Sequence, residues 1–238
     1  MRKLFNYFHP LNKLKRAREY YLKKIVVPDN IRALLSAPLP DIDADLYQLD
    51  YIALDFETTG FEPENDYLLS VGYLPMEAQK LLLDRAVETF VKSSEKIKAE
   101  TAVINHITPE MLEKGAPLHD VMEVLITALT GKVIIAHGCM IEKRFLDYYL
   151  QKHFKLPPLP LLWVDTLCIE KSLSIHHGNH KSADFRLSSV RARHGLPEYP
   201  AHGALVDALA TGELYLALLK VRFAGMKASL RHLKIGSR

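Results

Sequence analysis

The sequence predicts an α/β protein in which a mixed sheet is flanked by helices. Short apolar runs with strand character come first, and further strands then alternate with segments of helical periodicity. The chain has 238 residues, 48% of them hydrophobic and 25% charged. This is enough for one large domain with a full core and short extensions.

Composition also narrows the function classes. No apolar run approaches the roughly 20 residues that cross a membrane, so we expect no stable membrane insertion. The basic N-terminus lacks the apolar stretch of a secretory signal. Cys139 and Cys168 lie in apolar patterns that are typical of buried thiols rather than of a disulfide. These features predict a cytoplasmic protein.

Residues 1–45 predict a basic helical N-terminal extension. In residues 11–24, leucine and tyrosine side chains recur at helical spacing among lysines and arginines, which is the pattern of a basic amphipathic helix. A cluster of prolines before residue 41 then indicates a connector. We therefore expect the main domain over residues 46–222 and a basic C-terminal tail over residues 223–238.

Five strands are predicted. Apolar runs at residues 51–56, 67–74 and 80–91 indicate a three-stranded meander. KVIIAH at residues 132–137 and LLWVDTL at residues 161–167 indicate two more strands, each running into a helix.

The helices are predicted from caps and from apolar periodicity. HITPEMLEKG offers Thr108 as an N-cap, Pro109 at the first position and Gly115 at the end. The other predicted helices lie at residues 118–129, from about 140 to 152, after LLWVDTL, at 186–195 and at 203–221.

The net charge of +3 hides a strong asymmetry. Residues 1–24 carry +7 and residues 221–238 carry +5, so the rest of the chain carries −9. Basic ends can hold a polyanion that an acidic body alone would repel. They are equally typical of solvated helices or tails, and both interpretations stay open.

The most informative motif is YIALDFETTG, which places Asp55 and Glu57 two residues apart at the end of an apolar run. Residues i and i+2 of a strand share one face. Two carboxylates on one partly buried face are costly unless a cation lies between them. Gly60 permits close backbone approach, and the hydroxyls of Thr58 and Thr59 can meet a sugar or a phosphate.

Two further segments add candidate residues. HGALVDA sets His202 in a loop, five residues before Asp207 in the first turns of a helix. A loop histidine can take a proton from water. Glu142 lies in the helix that follows residues 132–137. Three separated segments that bring carboxylates, one of them with a histidine, form the inventory of a two-metal phosphodiesterase site.

Together these segments resemble the DEDDh, or DnaQ-like, family of 3′–5′ exonucleases, which includes the proofreading epsilon subunit of bacterial DNA polymerase III. LDFETTG is similar to the family's leading D-x-E-T-T-G, and HGALVDA to its H-x-A-x-x-D. NHITPEML, VDTL and the helical pair at residues 186–218 look like further family segments. The resemblance runs from about residue 50 to 220 and implies a ribonuclease-H-like fold with a five-stranded mixed sheet.

The resemblance implies a role for each acidic residue. Asp55 would bridge two divalent cations, Mg²⁺ or Mn²⁺, which suit a site made of oxygen ligands. Glu57 and Asp207 would hold the ion that binds the attacking water, and Glu57 would also meet the terminal 3′-OH. Glu142 would support the second ion beside the leaving oxygen. His202 would be the general base, and the products would be nucleoside monophosphates.

The resemblance also implies a substrate, the 3′ end of single-stranded DNA or RNA with DNA favoured, and a polymerase or other protein as a possible partner. Phe61 would be an apolar wedge against a base. The other expected substrate contacts are Thr58, Thr59, Gly60, Ile107 and His137. Asp165 matches a family position that is usually structural, so we leave it outside the site.

Departures from the family pattern in one motif leave two interpretations open. The family's middle motif usually reads H-N-x-x-F-D, and here the aligned stretch runs from His137 to Glu142, with Gly138 in place of the asparagine and Glu142 in place of the aspartate. A glutamate reaches about 1.5 Å further than an aspartate. The chain is therefore either an active exonuclease or a catalytically weakened module that binds nucleic acid or a polymerase.

The basic ends allow two further hypotheses. The protein can be an enzyme for small nucleotides or very short oligonucleotides, with the ends serving as docking elements. The N-terminal helix can also attach the protein to an anionic membrane surface.

Overall fold

A mixed sheet of six strands organises the residues that the computed structural model describes, which are 9–93, 107–176, 184–200 and 202–233. In chain order the strands are β1 (Tyr51–Thr58), β2 (Leu68–Glu77), β3 (Lys80–Leu81), β4 (Val87–Phe90), β5 (Val133–Ala136) and β6 (Trp163–Asp165). The predicted fold class, a mixed sheet flanked by helices, is confirmed.

The strand order β3-β2-β1-β5-β6 places β1 at the centre, with β4 also pairing with β2. β1 is antiparallel to β2 and parallel to β5, and β5 is parallel to β6. The expected third strand at residues 80–91 is divided into β3 and β4 by a 3₁₀ turn, Leu83–Arg85, in which Leu83 is 65% exposed. Both pieces pair with β2, so the expected five strands become six without a change of topology.

Eight α-helices surround the sheet among the described residues. They are α1 (Pro10–Lys24), α2 (Asp29–Ser36), α3 (Pro109–Glu113), α4 (Leu118–Ala128), α5 (Met140–Phe154), α6 (Thr166–His176), α7 (Leu187–Arg193) and α8 (Ala204–Arg222). Thr108 caps α3 by accepting a hydrogen bond from the Met111 N–H, as predicted. Among these helices none is long and apolar enough to cross a bilayer.

Helix α2 lies in the segment that was predicted to be a connector. Its Ile31, Leu34 and Leu35 are buried at the i, i+3, i+4 spacing of an amphipathic helix. Helix α2 was not predicted because it has only 8 residues between prolines. The neighbouring prolines indicated a connector more strongly than the short apolar pattern indicated a helix.

The two faces of β1 pack in different cores. Ile52, Leu54 and Phe56 lie in one cluster with α2, α4 and α5, whereas Tyr51 and Ala53 lie in a second cluster with α8. This alternation follows from the period of 2 along a strand. Asp55 and Glu57 follow Tyr51 and Ala53 at the same spacing of two residues. Their side chains therefore lie on the face of the sheet that packs against α8.

Both ends of the described chain pack on the sheet domain. The buried Arg18 of α1 donates to the carbonyl oxygens of Pro160, at 2.9 Å, and Ala37, at 3.0 Å. At the other end, Ala228, Leu230 and Leu233 are buried in the same cluster as α8. Residues 1–8 and 234–238, which hold part of the predicted basic charge, lie outside the described residues.

Helix α8 lies against the sheet at two glycines. A side chain at Gly72 of β2 would overlap the backbone of Ala204 and Leu205 at the start of α8. A side chain at Gly212 of α8 would lie 2.6 Å from Leu81 Cδ2. The approach of this helix to the sheet therefore depends on positions without a Cβ atom.

We predict that Gly72→Ala destabilises the protein by about 3 kcal/mol or more, the upper part of the range for overpacking, because backbone rather than a flexible side chain must move. Urea unfolding of both proteins measures the difference. Gly203→Ala is the matched control, since its new Cβ would make only ordinary contacts of 3.8 Å with Val206. Equal midpoints for Gly72→Ala and wild type would contradict the close approach.

Candidate active site

Four acidic side chains converge where β1 ends. Asp55 and Glu57 come from the end of β1, Glu142 from the first turn of α5 and Asp207 from the first turn of α8. β1 and β5 are parallel neighbours, so the helix that follows β5 starts beside the end of β1. The topology thus brings together the acidic residues that the sequence places in three segments.

The two acids of β1 are held under the start of α8. Asp55 pairs with Gly72 in the antiparallel register, and Glu57 pairs with Ser70. Because Gly72 has no side chain, the first turn of α8 lies directly over this pair of strands. Glu57 is only 8% exposed, so its carboxylate lies within the protein rather than at a frayed strand end.

His202 and Asp207 lie close to Glu57. His202 has a φ of +70°, in the left-handed region, and its backbone N–H donates to Asp207 Oδ2 at 3.2 Å. One ligand atom from each of Glu57, His202 and Asp207 lies within 4.8 Å of the other two. Such a group has the size to enclose a divalent cation or an ordered water.

Glu142 is the most buried of the four acids. Its side chain is 4% exposed, and its Oε2 has no hydrogen-bond partner among the described residues. Burial raises the pKa of Glu142 to about 8, with repulsion from Asp165 as a further cause. An unpaired buried carboxylate oxygen is costly, and a cation is the kind of partner that would satisfy it.

The other acids show the same crowding. Burial raises the pKa of Asp55 well above its usual value, helped by repulsion from Glu142, Asp207 and Glu57. Burial, followed by repulsion from Asp207, raises the pKa of Glu57 to about 7. Burial also raises the pKa of Asp207. Oxygen donors this close together fit the requirements of Mg²⁺ or Mn²⁺.

The loop after β1 places the next predicted residues. The Thr58 hydroxyl donates to the Gly60 carbonyl at 2.7 Å, and the Thr59 hydroxyl donates to Asp66 Oδ1 at 3.0 Å. The hydroxyl hydrogens of both threonines therefore shape the loop itself. Phe61 is 68% exposed beside these residues, as an aromatic side chain that stacks on a ligand would be.

Ile107 and His137 lie inside the protein. Ile107 is 3% exposed and packs with Leu69 in a small cluster. The two ring nitrogens of His137 lie 2.8 Å from Thr166 Oγ1 and 2.8 Å from the Phe185 carbonyl. A substrate contact through either ring nitrogen of His137 would have to replace one of these bonds.

Asp165 holds the backbone at the starts of two helices. Its Oδ1 accepts from the N–H of Gly138, before α5, and from the N–H of Leu167, in α6, both at 2.9 Å. It therefore fixes the turn from which Glu142 projects.

Two polar residues beside the acids were not predicted from the sequence. Glu88 of β4 accepts a hydrogen bond from the Leu205 N–H at 3.4 Å and helps to raise the pKa of Glu57. Ser70, opposite Glu57 in the register, is fully buried, and its hydroxyl has no hydrogen-bond partner among the described residues. The segments VETF, with Glu88, and YLLSVGYL, with Ser70, contain no motif that places these residues at the site. Their positions beside the acids depend on strand register.

Comparisons with known proteins agree with this architecture. The model of the Exonuclease family, RNase_T, matches residues 52–215. DNA polymerase III PolC-type from Thermotoga petrophila is 28% identical over 179 residues, which are 75% of this chain and 12% of that protein. DNA polymerase III subunit epsilon from Treponema pallidum is 26% identical over 169 residues, which are 71% of this chain and 76% of that protein.

Solved structures share the fold at lower identity. Cell-death related nuclease 4 (CRN-4) superimposes with a TM-score of 0.64 and 15% identity, covering 73% of this chain and 64% of that one. E. coli Exonuclease I in complex with a dT13 oligonucleotide gives a TM-score of 0.62 and 16% identity, covering 74% and 42%.

The family match includes β1 with Asp55 and Glu57, the start of α5 with Glu142, and the start of α8 with Asp207. It covers more than half of the chain and all six strands of the sheet except the first residue of β1. The chain therefore belongs to the RNase_T exonuclease family.

Proposed function

We propose that this protein is a metal-dependent 3′–5′ exonuclease that hydrolyses single-stranded nucleic acid, with DNA favoured, to nucleoside monophosphates. The observation that carries the proposal is the convergence of four acids and His202 at the end of β1, in a chain of the exonuclease family. Acids that repel one another inside a fold lower the free energy of unfolding. A catalytic role explains why such acids are present.

Two divalent cations, Mg²⁺ or Mn²⁺, would be held by Asp55, Glu57, Asp207 and Glu142. When bound, they supply charge stabilisation to the phosphate and lower the pKa of the attacking water. Repulsion from each of the other three acids raises the pKa of Asp55, after burial as the largest cause, which supports including Asp55 among the residues that would hold the cations. The unpaired Oε2 of Glu142 supports a ligand role for that residue.

His202 would act as the general base. As the bond between the water oxygen and phosphorus forms, the bond from phosphorus to the O3′ of the preceding nucleotide breaks. His202 takes the water proton, and the leaving O3′ takes a proton from solvent. The imidazole lies beside Glu57 and Asp207, and those two carboxylates stabilise the imidazolium that forms.

The loop after β1 would receive the terminal nucleotide. Exposed Phe61 would stack against its base, and backbone groups of the loop around Thr58, Thr59 and Gly60 would meet its sugar. The preference for DNA is supported by relatives named as DNA polymerase III proteins and by Exonuclease I structures with dT13 and dA16 oligonucleotides. The relative from Treponema pallidum is named as a subunit of DNA polymerase III, which supports a polymerase partner here.

We expect the protein to shorten 5′-labelled single-stranded DNA from its 3′ end with Mg²⁺ or Mn²⁺ and to be inactive in EDTA. His202→Ala should lower kcat by about 10²- to 10⁴-fold, the usual contribution of a general base. Asp207→Ala should lose at least as much, because it removes a proposed cation ligand. Gel ladders from DNA and RNA of equal sequence measure direction and preference together.

The control variant for this experiment is Glu113→Gln, which changes one exposed acid on α3 and should leave the ladder unchanged. Digestion that persists in EDTA, or a ladder that shortens from the 5′ end, would overturn the proposal. Metal-dependent binding without cleavage would favour the weakened binding module instead.

We predict that the metal-free protein loses stability as pH rises. In the folded protein the pKa is about 7 for Glu57 and about 8 for Glu142, against a usual 4.5. Their protonation therefore favours the folded state, and this contribution to the free energy of unfolding is fully present below about pH 4.5. That contribution, on the order of a few kcal/mol, is lost as pH rises through 7 to 8. Urea unfolding in EDTA at pH 5.5 and pH 8.5 measures it.

Glu142→Gln isolates one part of this pH dependence. The metal-free variant should be more stable than wild type at pH 8.5, while the difference shrinks at pH 5.5, and Mn²⁺ at pH 8.5 should raise the melting temperature of wild type more than that of the variant. Glu113→Gln should keep the wild-type profile. A Glu142→Gln profile parallel to wild type would show that Glu142 does not titrate in this range.

A further inference from the structure

A buried arginine lies behind the loop that carries His202. The Arg191 side chain of α7 is 4% exposed. Its Nη1 donates to the Ala210 carbonyl of α8 at 2.6 Å, and its Nη2 donates to the Pro197 carbonyl at 2.9 Å and to Glu213 Oε2 at 2.8 Å. One guanidinium thus joins α7, α8 and the loop between them.

Tyr199 of the same loop completes this arrangement. Its hydroxyl donates to Glu213 Oε1 at 2.9 Å, and its ring centroid lies 4.6 Å from the Arg191 guanidinium carbon. Glu213 therefore uses one carboxylate oxygen for Arg191 and the other for Tyr199. We call Arg191, Tyr199 and Glu213 the loop clamp.

The loop clamp fixes the chain shortly before His202. Gly195, with a φ of +68°, turns the chain after α7, and the Leu196 N–H donates to the Arg191 carbonyl at 3.1 Å. Contacts at Pro197 and Tyr199 follow. His202, in the left-handed region, then makes its backbone bond to Asp207. A left-handed residue other than glycine is held by its surroundings rather than by its own preference.

We propose that the loop clamp positions the imidazole of His202 for proton transfer, so that Arg191, Tyr199 and Glu213 are positioning residues of the active site. This inference rests on the proposed function, in which His202 is the general base. A misplacement of about 1 Å can cost roughly 10²-fold in rate, and a short loop with a left-handed residue needs external support to avoid it.

The simpler explanation is that these three residues only join α7 to α8. A purely structural contact would lower stability without a specific effect on His202. Tyr199→Phe separates the two explanations, because it removes the hydroxyl bond to Glu213 and keeps the ring beneath Arg191. Arg191 itself is a poor first variant, because its removal would leave the half-buried Glu213 carboxylate without its cation and the Ala210 and Pro197 carbonyls without their donor, which would destabilise the fold.

The experiment compares Tyr199→Phe with Tyr21→Phe, both made in wild type and in His202→Ala, on a short single-stranded DNA with Mn²⁺. Tyr21 is the matched control because its hydroxyl also makes one bond, 2.8 Å to the Pro157 carbonyl, on α1. We expect Tyr199→Phe to lower kcat about tenfold with KM within about twofold, and to have no further effect in His202→Ala. Tyr21→Phe should leave kcat unchanged in both.

Amide hydrogen exchange of the metal-free proteins gives a second readout that does not need activity. Tyr199→Phe should speed exchange at the amides of residues 196, 198 and 202, while Tyr21→Phe should not. An unchanged kcat, or an equal loss of kcat in the His202→Ala background, would overturn the clamp and leave the proposed function intact. If His202→Ala itself is as active as wild type, the assignment of the general base fails instead.

Discussion

The close approach of α8 to β2 at Gly72 is the constraint on which the candidate site depends. Gly72 lies opposite Asp55 in the sheet, and a side chain there would overlap the first residues of α8. Asp207 lies in the first turn of that helix and His202 lies just before it. Because Gly72 has no Cβ atom, the candidate residues His202 and Asp207 can lie close to the acids of β1.

Burial and mutual repulsion destabilise the charged forms of the four acids of the site more than the neighbouring helix dipoles stabilise them. Glu142 and Asp207 lie in the first turns of α5 and α8, where the helix dipole favours an acid by about 0.3–1 kcal/mol. Burial and mutual repulsion act in the opposite direction and prevail, since the pKa values of Asp55, Glu57, Glu142 and Asp207 are all raised. The two apolar clusters on either face of the sheet must supply the stability that the acids remove.

The sequence predicted the parts of the fold that local patterns determine. The period of 2 along YIALDFET placed Asp55 and Glu57 on one face, and the Thr108 cap followed from a short motif. The short helix α2 and the break between β3 and β4 escaped prediction because their patterns are weak compared with the neighbouring prolines and the long apolar run.

The contacts around the site were not predicted for a different reason. The contact of Glu88 with α8 and the loop clamp at Arg191 join residues that are far apart in sequence. One amino-acid sequence does not give the strand register or the helix packing that bring such pairs together. The same holds for His137, whose ring nitrogens are occupied by Thr166 and Phe185. The sequence indicates which residue types could perform the chemistry, whereas the tertiary packing shows which neighbours support them.

The placement of Glu142 bears on the replacement of the family's usual aspartate by glutamate at this position. A glutamate has more rotamer freedom than an aspartate, and ordering a side chain of its length costs up to about 2 kcal/mol. Here the side chain is already buried at 4% exposure, in a turn that Asp165 fixes through the Gly138 N–H. The ordering cost is therefore met during folding rather than during cation binding. A carboxylate that is held in place with one oxygen unpaired is more consistent with a retained ligand role than with the decay of a catalytic site, in which a buried acid without a partner would bring only its cost.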